Sequence, residues 1–240
     1  MRIAILASGN GTNAGALLEA ARQGWLGCEV GVVLTNRPGA GVIGRAERYG
    51  VAVEVVVPAA ASPSEPKEKA REEYDGRVVS VLERYGPDLV VLAGWMRILS
   101  GVFLDAFAGR IINLHPSILP SFTGGSGIAD AVEYGARLAG CSVHFVSPVL
   151  DGGPLIIQAA VPVADAGEDV PSSVLDATEA RIHAMEHLIL PQAVKWFSEG
   201  RLRVEGRCVR LLYPSDGTMP SGRSIVGGCL VWPPLEIPLD

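Results

Sequence analysis

Short apolar runs alternate with helical stretches through the first half of this 240-residue chain, and this alternation limits the folds open to it. The runs are rich in Val, Ile and Leu and are bounded by Gly, Pro or Asn, as expected of strands buried on both faces. They lie at residues 2–7, 30–35, 53–57, 88–93 and 110–114. Helical spacing fills residues 13–23, 41–49 and 66–85. We therefore predict an α/β fold with an open, mostly parallel, twisted sheet and helices on both faces.

The pattern changes after residue 140, where two strand-like runs follow each other directly. These runs, residues 141–146 and 155–161, predict strands, and residues 172–190 predict a long helix ended by Pro191 or slightly later. We therefore expect antiparallel additions in the C-terminal part of the fold.

The end of the chain contains a predicted hairpin and then a tail. Residues 202–205 and 208–211 are strand-like and flank Gly206-Arg207. From Tyr213 onward Pro, Gly and Ser are frequent. We assign residues 1–211 to a single domain, which suits a chain of this length. Residues 212–240 are expected to form an extended or poorly ordered tail.

Composition excludes several classes of partner. The net charge is −6 and charged residues make up only 19% of the chain, which argues against nucleic-acid binding because that needs a basic face. The apolar N-terminus is too short for a signal peptide or a membrane span. Four cysteines without C-x-x-C spacing are typical of reduced thiols. We expect a cytoplasmic protein, monomer or homodimer, that acts on small molecules.

A glycine-rich loop follows the first predicted strand and precedes the first predicted helix. It reads Ser8-Gly9-Asn10-Gly11-Thr12-Asn13-Ala14. Such a loop presents backbone N–H groups and the positive end of a helix to an anion. It also matches the dinucleotide pattern G-x-G-x-x-A, but the second strand ends in Thr35-Asn36-Arg37 instead of the expected acid. The loop favours a monophosphate over a dinucleotide; a turn without a ligand is the alternative.

Two polar residues end the fifth predicted strand, where ligands bind in an open α/β sheet. Asn113 and His115 are two residues apart, so their side chains point to the same face, and Pro116 ends the strand. Asp151 follows in Leu150-Asp151-Gly152-Gly153-Pro154. An amide can donate to a developing oxyanion, an imidazole can transfer a proton, and a carboxylate can favour the protonated imidazole. The three residues predict acyl-transfer chemistry.

Taken with the loop, these residues make the chain resemble the folate-dependent phosphoribosylglycinamide formyltransferases of purine biosynthesis. The resemblance covers about residues 1–211. Its motifs are Ser8–Asn13, Leu92–Leu99, Ile112–Ser117, Ser142–Val146, Leu150–Pro154 and Glu186-His187.

The resemblance implies a formyltransferase fold of Rossmann-like type and transfer of a formyl group from 10-formyltetrahydrofolate to the amine of glycinamide ribonucleotide. The implied catalytic residues are Asn113, His115 and Asp151, with His144 in a supporting role. The ribonucleotide would be held by Gly11, Thr12, Asn13 and Glu186. The folate pocket would be lined by Met96, Arg97, Ile98, Leu99, Asn113, Val149, Leu150 and Asp151. Residues 1–100 would then be the phosphate-binding half and residues 101–211 the catalytic and folate-binding half, and no metal is required.

The chain departs from the family after Phe122. The family continues with Pro-Gly and then a His, whereas this chain reads Thr123-Gly124-Gly125-Ser126-Gly127. Glycine loses most entropy on ordering, so we expect a mobile loop that acts as a lid and orders with substrate. The absent His puts one substrate contact in doubt.

Other functions are open at this stage. A 10-formyltetrahydrofolate hydrolase would use the same three residues with water as the acceptor, but it usually carries an N-terminal regulatory domain. Methionyl-tRNA formyltransferase adds a tRNA-binding domain and a basic surface, and the loop at residues 8–13 disfavours a sugar-nucleotide formyltransferase. A silent nucleotide-binding module and a dinucleotide-dependent oxidoreductase are further alternatives. His183 and His187 have a spacing that could bind metal, but no third ligand is evident.

Overall fold

The structure is a computed structural model that describes residues 1–59, 66–163, 171–213 and 223–236. The chain divides into two compact units. The first contains residues 1–113 and 146–148, and the second contains residues 114–145 and 149–240. The division predicted at residue 100 therefore falls inside the first unit.

The first unit is built on five parallel strands. They are β1 (Arg2–Leu6), β2 (Glu29–Thr35), β3 (Ala52–Val55), β4 (Leu89–Leu92) and β5 (Ile111–His115). Their order is β3-β2-β1-β4-β5, and the last two residues of β5 belong to the second unit. The parallel sheet predicted from the alternation is confirmed. Because its strands are parallel, their carboxyl ends lie along one edge.

Helices cover both faces of this sheet. They are α1 (Thr12–Arg22), α2 (Val42–Arg48), α3 (Lys67–Glu83) and α4 (Gly101–Ala106). Ala4 and Leu6 pack in one core with Tyr74 of α3 and Phe103 of α4. Ile3 points to the opposite face and is also fully buried. The short helix α4 was not predicted, because six residues are too few to show helical periodicity.

The second unit carries mostly antiparallel strands. They are β6 (Leu138–Phe145), β7 (Leu155–Pro162), β8 (Leu202–Glu205), β9 (Cys208–Leu211), β10 (Arg223–Val226) and β11 (Cys229–Leu235). Their order is β10-β11-β7-β6, and β9 pairs with β7 and with β8. The predicted antiparallel additions and the β8–β9 hairpin are confirmed.

Part of the segment predicted as a tail belongs to the sheet. β11 pairs with β7, and its Val231 is fully buried. Residues 214–222 and 237–240 lie outside the described residues. The prediction of an extended or poorly ordered tail is therefore wrong for β10 and β11, which pair in the sheet. That prediction relied on the frequency of Pro, Gly and Ser and did not consider the alternation of apolar residues around Val231.

Two helices complete the second unit, α5 (Gly127–Glu133) and α6 (Ser172–Ser198). The prediction that α6 ends near Pro191 is wrong, because the helix continues for two further turns. A proline in a helix interior costs about 3 kcal/mol. The residues beyond it include Val194 and Trp196, both fully buried, and each such side chain contributes about 1.5–3 kcal/mol. Burial therefore outweighs the penalty. Within the described ranges, no helix is long and apolar enough to cross a membrane.

Candidate active site

His115 and Asp151 meet in the second unit. His115 is the last residue of β5, and Asp151 lies in the loop between β6 and β7. The Nδ1 atom of His115 is 3.7 Å from Oδ2 of Asp151, and both side chains are buried, at 6% and 7% exposure. At this separation a carboxylate attracts an imidazolium, and the attraction is stronger away from bulk water. The pair can therefore stabilise positive charge on His115.

The other nitrogen of His115 contacts the backbone just before the segment of residues 123–127. His115 Nε2 lies 3.0 Å from the carbonyl oxygen of Phe122, so this nitrogen donates and carries a proton. The N–H of Gly124 donates to Asp151 Oδ2 at 2.9 Å. Phe122 and Gly124 thus occupy one hydrogen-bonding position on each of the two groups. The lid predicted at residues 123–127 stays a prediction.

Both sides of this contact have unusual backbone geometry. Within the described ranges, Phe122 and Asp151 are the non-glycine residues with positive φ, and each has a φ of 51°. Residues other than glycine rarely adopt a positive φ, and a bulky residue such as Phe does so only when the surrounding structure holds it there. Strained residues of this kind concentrate at functional sites.

His144 lies near the other carboxylate oxygen of Asp151. Its Nδ1 is 2.9 Å from the carbonyl oxygen of Phe145 and therefore carries the proton, while Nε2 is 4.0 Å from Asp151 Oδ1. Burial lowers the pKa of His144. A neutral imidazole is thus favoured at this position.

Asn113 precedes His115 by two residues on the same side of β5. It lies opposite Leu92 of β4 in the parallel ladder and is half-buried, whereas the other residues of β5 are buried. Asn113 is thus the most exposed residue of the strand. Asn113 belongs to the first unit and His115 to the second.

The glycine-rich loop lies at the start of α1 in the first unit. Gly11 precedes Thr12, the first helical residue, and has a φ of 69° and a ψ of 34°. A Cβ on Gly11 would lie 2.4 Å from Cγ2 of Val42 in α2. The positive φ and the close approach of the loop to α2 both require glycine at this position. The N-terminal end of α1 is left as a site for an anion.

The predicted folate segment follows β4. Met96 and Ile98 are large apolar residues with 68% and 53% exposure. The segment is fixed at its beginning by Met96 N, which donates to Ser8 Oγ at 2.9 Å, and at its end by Ser100 N, which donates to Asp75 Oδ2 at 2.6 Å. Two large apolar side chains are therefore exposed on a backbone that is held at both ends.

Arg97 is held by the helix beneath this segment. Its guanidinium lies 4.1 Å from the centre of the Tyr74 ring, and Tyr74 OH donates to the carbonyl oxygen of Val56 at 2.8 Å. Burial raises the pKa of Tyr74 to about 12, so the ring stays neutral. Burial also raises the pKa of Asp75. The neutral Tyr74 ring therefore holds the Arg97 guanidinium by a cation–π interaction.

The remaining predicted folate residues, Val149 and Leu150, lie in the second unit and are exposed. They precede Asp151 in a tight loop. A Cβ on Gly153 would lie 1.7 Å from the carbonyl oxygen of Phe145, which no side chain could tolerate. Gly153 is therefore required for the backbone path that presents Asp151.

Glu186 of α6 is buried and hydrogen-bonded. Its Oε2 lies 2.8 Å from Nδ1 of His183, one helical turn earlier. The hydrogen bond to Glu186 raises the pKa of His183. From the sequence, His183 was interpreted only as a candidate metal ligand. Within the described ranges, no three His, Cys, Asp or Glu side chains are grouped as a metal site requires.

Three residues that contact parts of the candidate site were not found from the sequence. Phe122 acts through a carbonyl oxygen, which every residue has, so its identity gives no signal. Asp75 lies on an otherwise charged helix, where a buried carboxylate resembles a solvated one. His183 could have been recognised from its spacing of three residues to Glu186, which places both on one helical face.

Comparison with known proteins identifies the family. Residues 1–194 match the family model for formyl transferases. The chain is 39% identical over 206 residues to phosphoribosylglycinamide formyltransferase of Escherichia coli K12, covering 85% of this chain and 90% of that protein. It is 36% identical over 203 residues to the human trifunctional purine biosynthetic protein adenosine-3, covering 85% of this chain but only 19% of that protein.

A solved structure gives the same result. The crystal structure of glycinamide ribonucleotide transformylase 1 from Symbiobacterium toebii superposes with a TM-score of 0.80 and 44% identity, over 89% of this chain and 94% of that chain. The family match includes β5 and the loop that carries Asp151. The chain therefore belongs to the formyl transferase family.

Proposed function

We propose that this chain transfers the formyl group of 10-formyltetrahydrofolate to the amine of glycinamide ribonucleotide, a step of purine biosynthesis. The observation that carries the proposal is the buried pair of His115 and Asp151, which lie 3.7 Å apart. His115 ends β5 and follows Asn113 by two residues. The family and its named relatives fix the reaction class, and this pair supplies the groups that the reaction needs.

The proposed reaction passes through a tetrahedral adduct. The substrate amine attacks the formyl carbon, a new C–N bond forms, and the carbonyl oxygen becomes an oxyanion. Asn113 and His115 donate hydrogen bonds to that oxygen, which is worth about 3 kcal/mol for each donor. The bond from carbon to N10 of the folate then breaks.

Asp151 serves the proton transfer. One proton must leave the attacking nitrogen and one must reach N10, so the net charge of the reactants does not change. An imidazolium at His115 donates to the oxyanion more strongly than a neutral ring, and the Asp151 carboxylate stabilises it. The enzyme needs neither a covalent intermediate nor a metal for this sequence of steps.

Substrate-binding roles follow from the family resemblance. Gly11, Thr12 and Asn13 would bind the ribonucleotide phosphate at the start of α1, and Glu186 would contact its ribose or glycinamide end. Met96, Arg97, Ile98 and Leu99 would bind the folate together with Val149 and Leu150. The exposure of Met96, Ile98, Val149 and Leu150 supports the folate roles, as does the backbone of residues 96–100, which is held at both ends.

The test is formyl transfer followed by absorbance, with and without glycinamide ribonucleotide. We expect folate consumption that depends on the ribonucleotide and falls about 100-fold or more in His115→Ala. An unchanged unfolding transition in the variant would show that the loss is chemical. Consumption without the ribonucleotide would point to the hydrolase, and no consumption would refute the proposal.

The proposal also covers the class of substrate, the location and the oligomeric state of the protein. We infer small-molecule substrates, a cytoplasmic location, and a monomer or homodimer. Sedimentation of the purified chain and fractionation of cells would test these points. A dimer that dissociates without loss of activity would show that each protomer is catalytically complete.

A further inference from the structure

The glycine-rich loop is held from one side by α2. The N–H of Val42 donates to the carbonyl oxygen of Gly9 at 3.2 Å, and Nε of Arg45 donates to the carbonyl oxygen of Asn10 at 2.7 Å. In a trans peptide the N–H points opposite to the C=O. The N–H groups of Asn10 and Gly11 therefore point away from α2.

A third donor adds to these two. The carbonyl oxygen of Gly11 accepts the first helical hydrogen bond, from Gly15 N at 2.8 Å, so the N–H of Thr12 points out of the helix end. Within the described ranges, no protein group accepts a hydrogen bond from Asn10, Gly11 or Thr12 N–H. Successive N–H groups of this kind form an anion-binding concavity.

Arg45 brings a positive charge to the same loop. Its side chain is half-buried, and a Cβ on Gly15 would lie 3.6 Å from both Cδ and Nη1 of Arg45. The guanidinium therefore lies beside the first turn of α1. Within the described ranges, Arg45 has no carboxylate partner, and its hydrogen bond goes to Asn10. A cation next to three free donors, without its own counter-ion, favours an anion.

We infer that Arg45 is a positioning residue for the phosphate of the substrate, an inference that rests on the proposed function. Its Nε fixes the Asn10 carbonyl oxygen so that the neighbouring N–H faces the anion, and its charge raises the affinity for a dianion. A net charge of −6 disfavours a phosphate, and a local cation opposes that effect.

The experiment compares the phosphorylated substrate with its dephosphorylated form. Steady-state kinetics at saturating folate would be measured with glycinamide ribonucleotide and with glycinamide riboside, for wild type, Arg45→Met and Arg45→Lys. Arg48→Gln is the matched control, because Arg48 lies on the same helix but is exposed and its side chain donates to Gly44 O, away from the glycine-rich loop's carbonyl oxygens.

For Arg45→Met we expect KM for the ribonucleotide to rise about tenfold or more, as for loss of a charge-assisted hydrogen bond, with kcat little changed. Arg45→Lys should lose less, since it keeps the charge. Values for the riboside should stay near those of Arg48→Gln. An equal loss with both substrates would indicate a merely structural role and overturn the inference, as would an unchanged KM for the ribonucleotide.

Binding of ribose 5-phosphate, followed by calorimetry, separates this inference from the proposed function because it needs no turnover. Weaker binding by Arg45→Met than by Arg48→Gln supports the role of Arg45. Equal binding by the two variants overturns it. Wild type that binds ribose 5-phosphate but transfers no formyl group would refute the proposed function alone.

Discussion

At the scale of single residues, the carboxylate of Asp151 has two separate functions. It accepts a hydrogen bond from Gly124 N, and it faces His115 with a negative charge. Asp151→Asn keeps an acceptor for Gly124 but removes the charge. We predict that kcat falls about 100-fold or more, as for loss of a group that assists proton transfer. The free energy of unfolding should change little, which urea titration would check. Retention of most of the wild-type kcat would refute this assignment.

His183 provides a prediction for the pH dependence of stability. The hydrogen bond to Glu186 raises its folded pKa above the ordinary value of 6.5, and Glu179 acts in the same direction. The resulting stabilisation is fully present below that value and is lost as the pH rises through the folded pKa. We predict that His183→Gln loses more stability at about pH 5.5 than at about pH 8.5. An equal loss at both pH values would show that the charged form of His183 is not involved.

Side-chain chemistry that stands out by residue type was predictable from the sequence. Asn113, His115 and Asp151 were predicted from polar residues in an apolar strand and from one turn, and the structure brings His115 and Asp151 together. The contact of His115 with Phe122 was not predictable, because it depends on a carbonyl oxygen and on a left-handed backbone conformation.

At the scale of elements, the loop between β6 and β7 depends on Gly153. A Cβ there would overlap the carbonyl oxygen of Phe145, so Gly153→Ala must displace the loop that carries Asp151. A misplacement of about 1 Å at a catalytic group costs about 100-fold in rate. We predict such a loss in kcat. Gly76→Ala is the control, since a Cβ on Gly76 of α3 would meet nothing within 4 Å. If both variants keep full activity, the loop tolerates the shift.

The elements differ in how well the sequence predicted them. Buried strands were predicted because they are short apolar runs bounded by Gly, Pro or Asn, and helices α1, α2 and α3 because their apolar residues fall at helical spacing. The end of α6 was misplaced because Pro191 is a local signal, whereas burial of Trp196 is a property of the tertiary structure. Helix α5 was not predicted, because its seven residues begin at Gly127, at the end of a stretch rich in glycine.

At the scale of the whole molecule, the C-terminal strands contribute to stability. Val231 and Leu235 are buried, β11 pairs with β7, and Glu236 forms two ionic hydrogen bonds with Arg201, at 2.8 and 2.9 Å. We predict that a chain ending at Leu212 loses about 4 kcal/mol or more in free energy of unfolding, given about 1.5–3 kcal/mol for each buried side chain. Urea unfolding would measure the loss.

The matched control for that truncation is a chain ending at Glu236, which keeps both strands. The shorter chain also exposes the edge of β7, and an unpaired strand edge promotes association. Light scattering should therefore show aggregation of the shorter chain alone. Equal unfolding midpoints for the two chains would show that β10 and β11 add nothing to stability.

The contact between Phe122 and His115 determines what a ligand gains at this position. Because the carbonyl oxygen of Phe122 already accepts from His115 Nε2, an arriving oxygen replaces one acceptor with another. A neutral carbonyl oxygen would gain almost nothing from that exchange, whereas an oxyanion is a much better acceptor than an amide. The carbonyl oxygen of Phe122 therefore competes with the ligand for His115 Nε2. It is as good an acceptor as the carbonyl oxygen of the ground state and a weaker one than the oxyanion of the adduct. This preference turns a contact within the protein into a source of selectivity for the transition state.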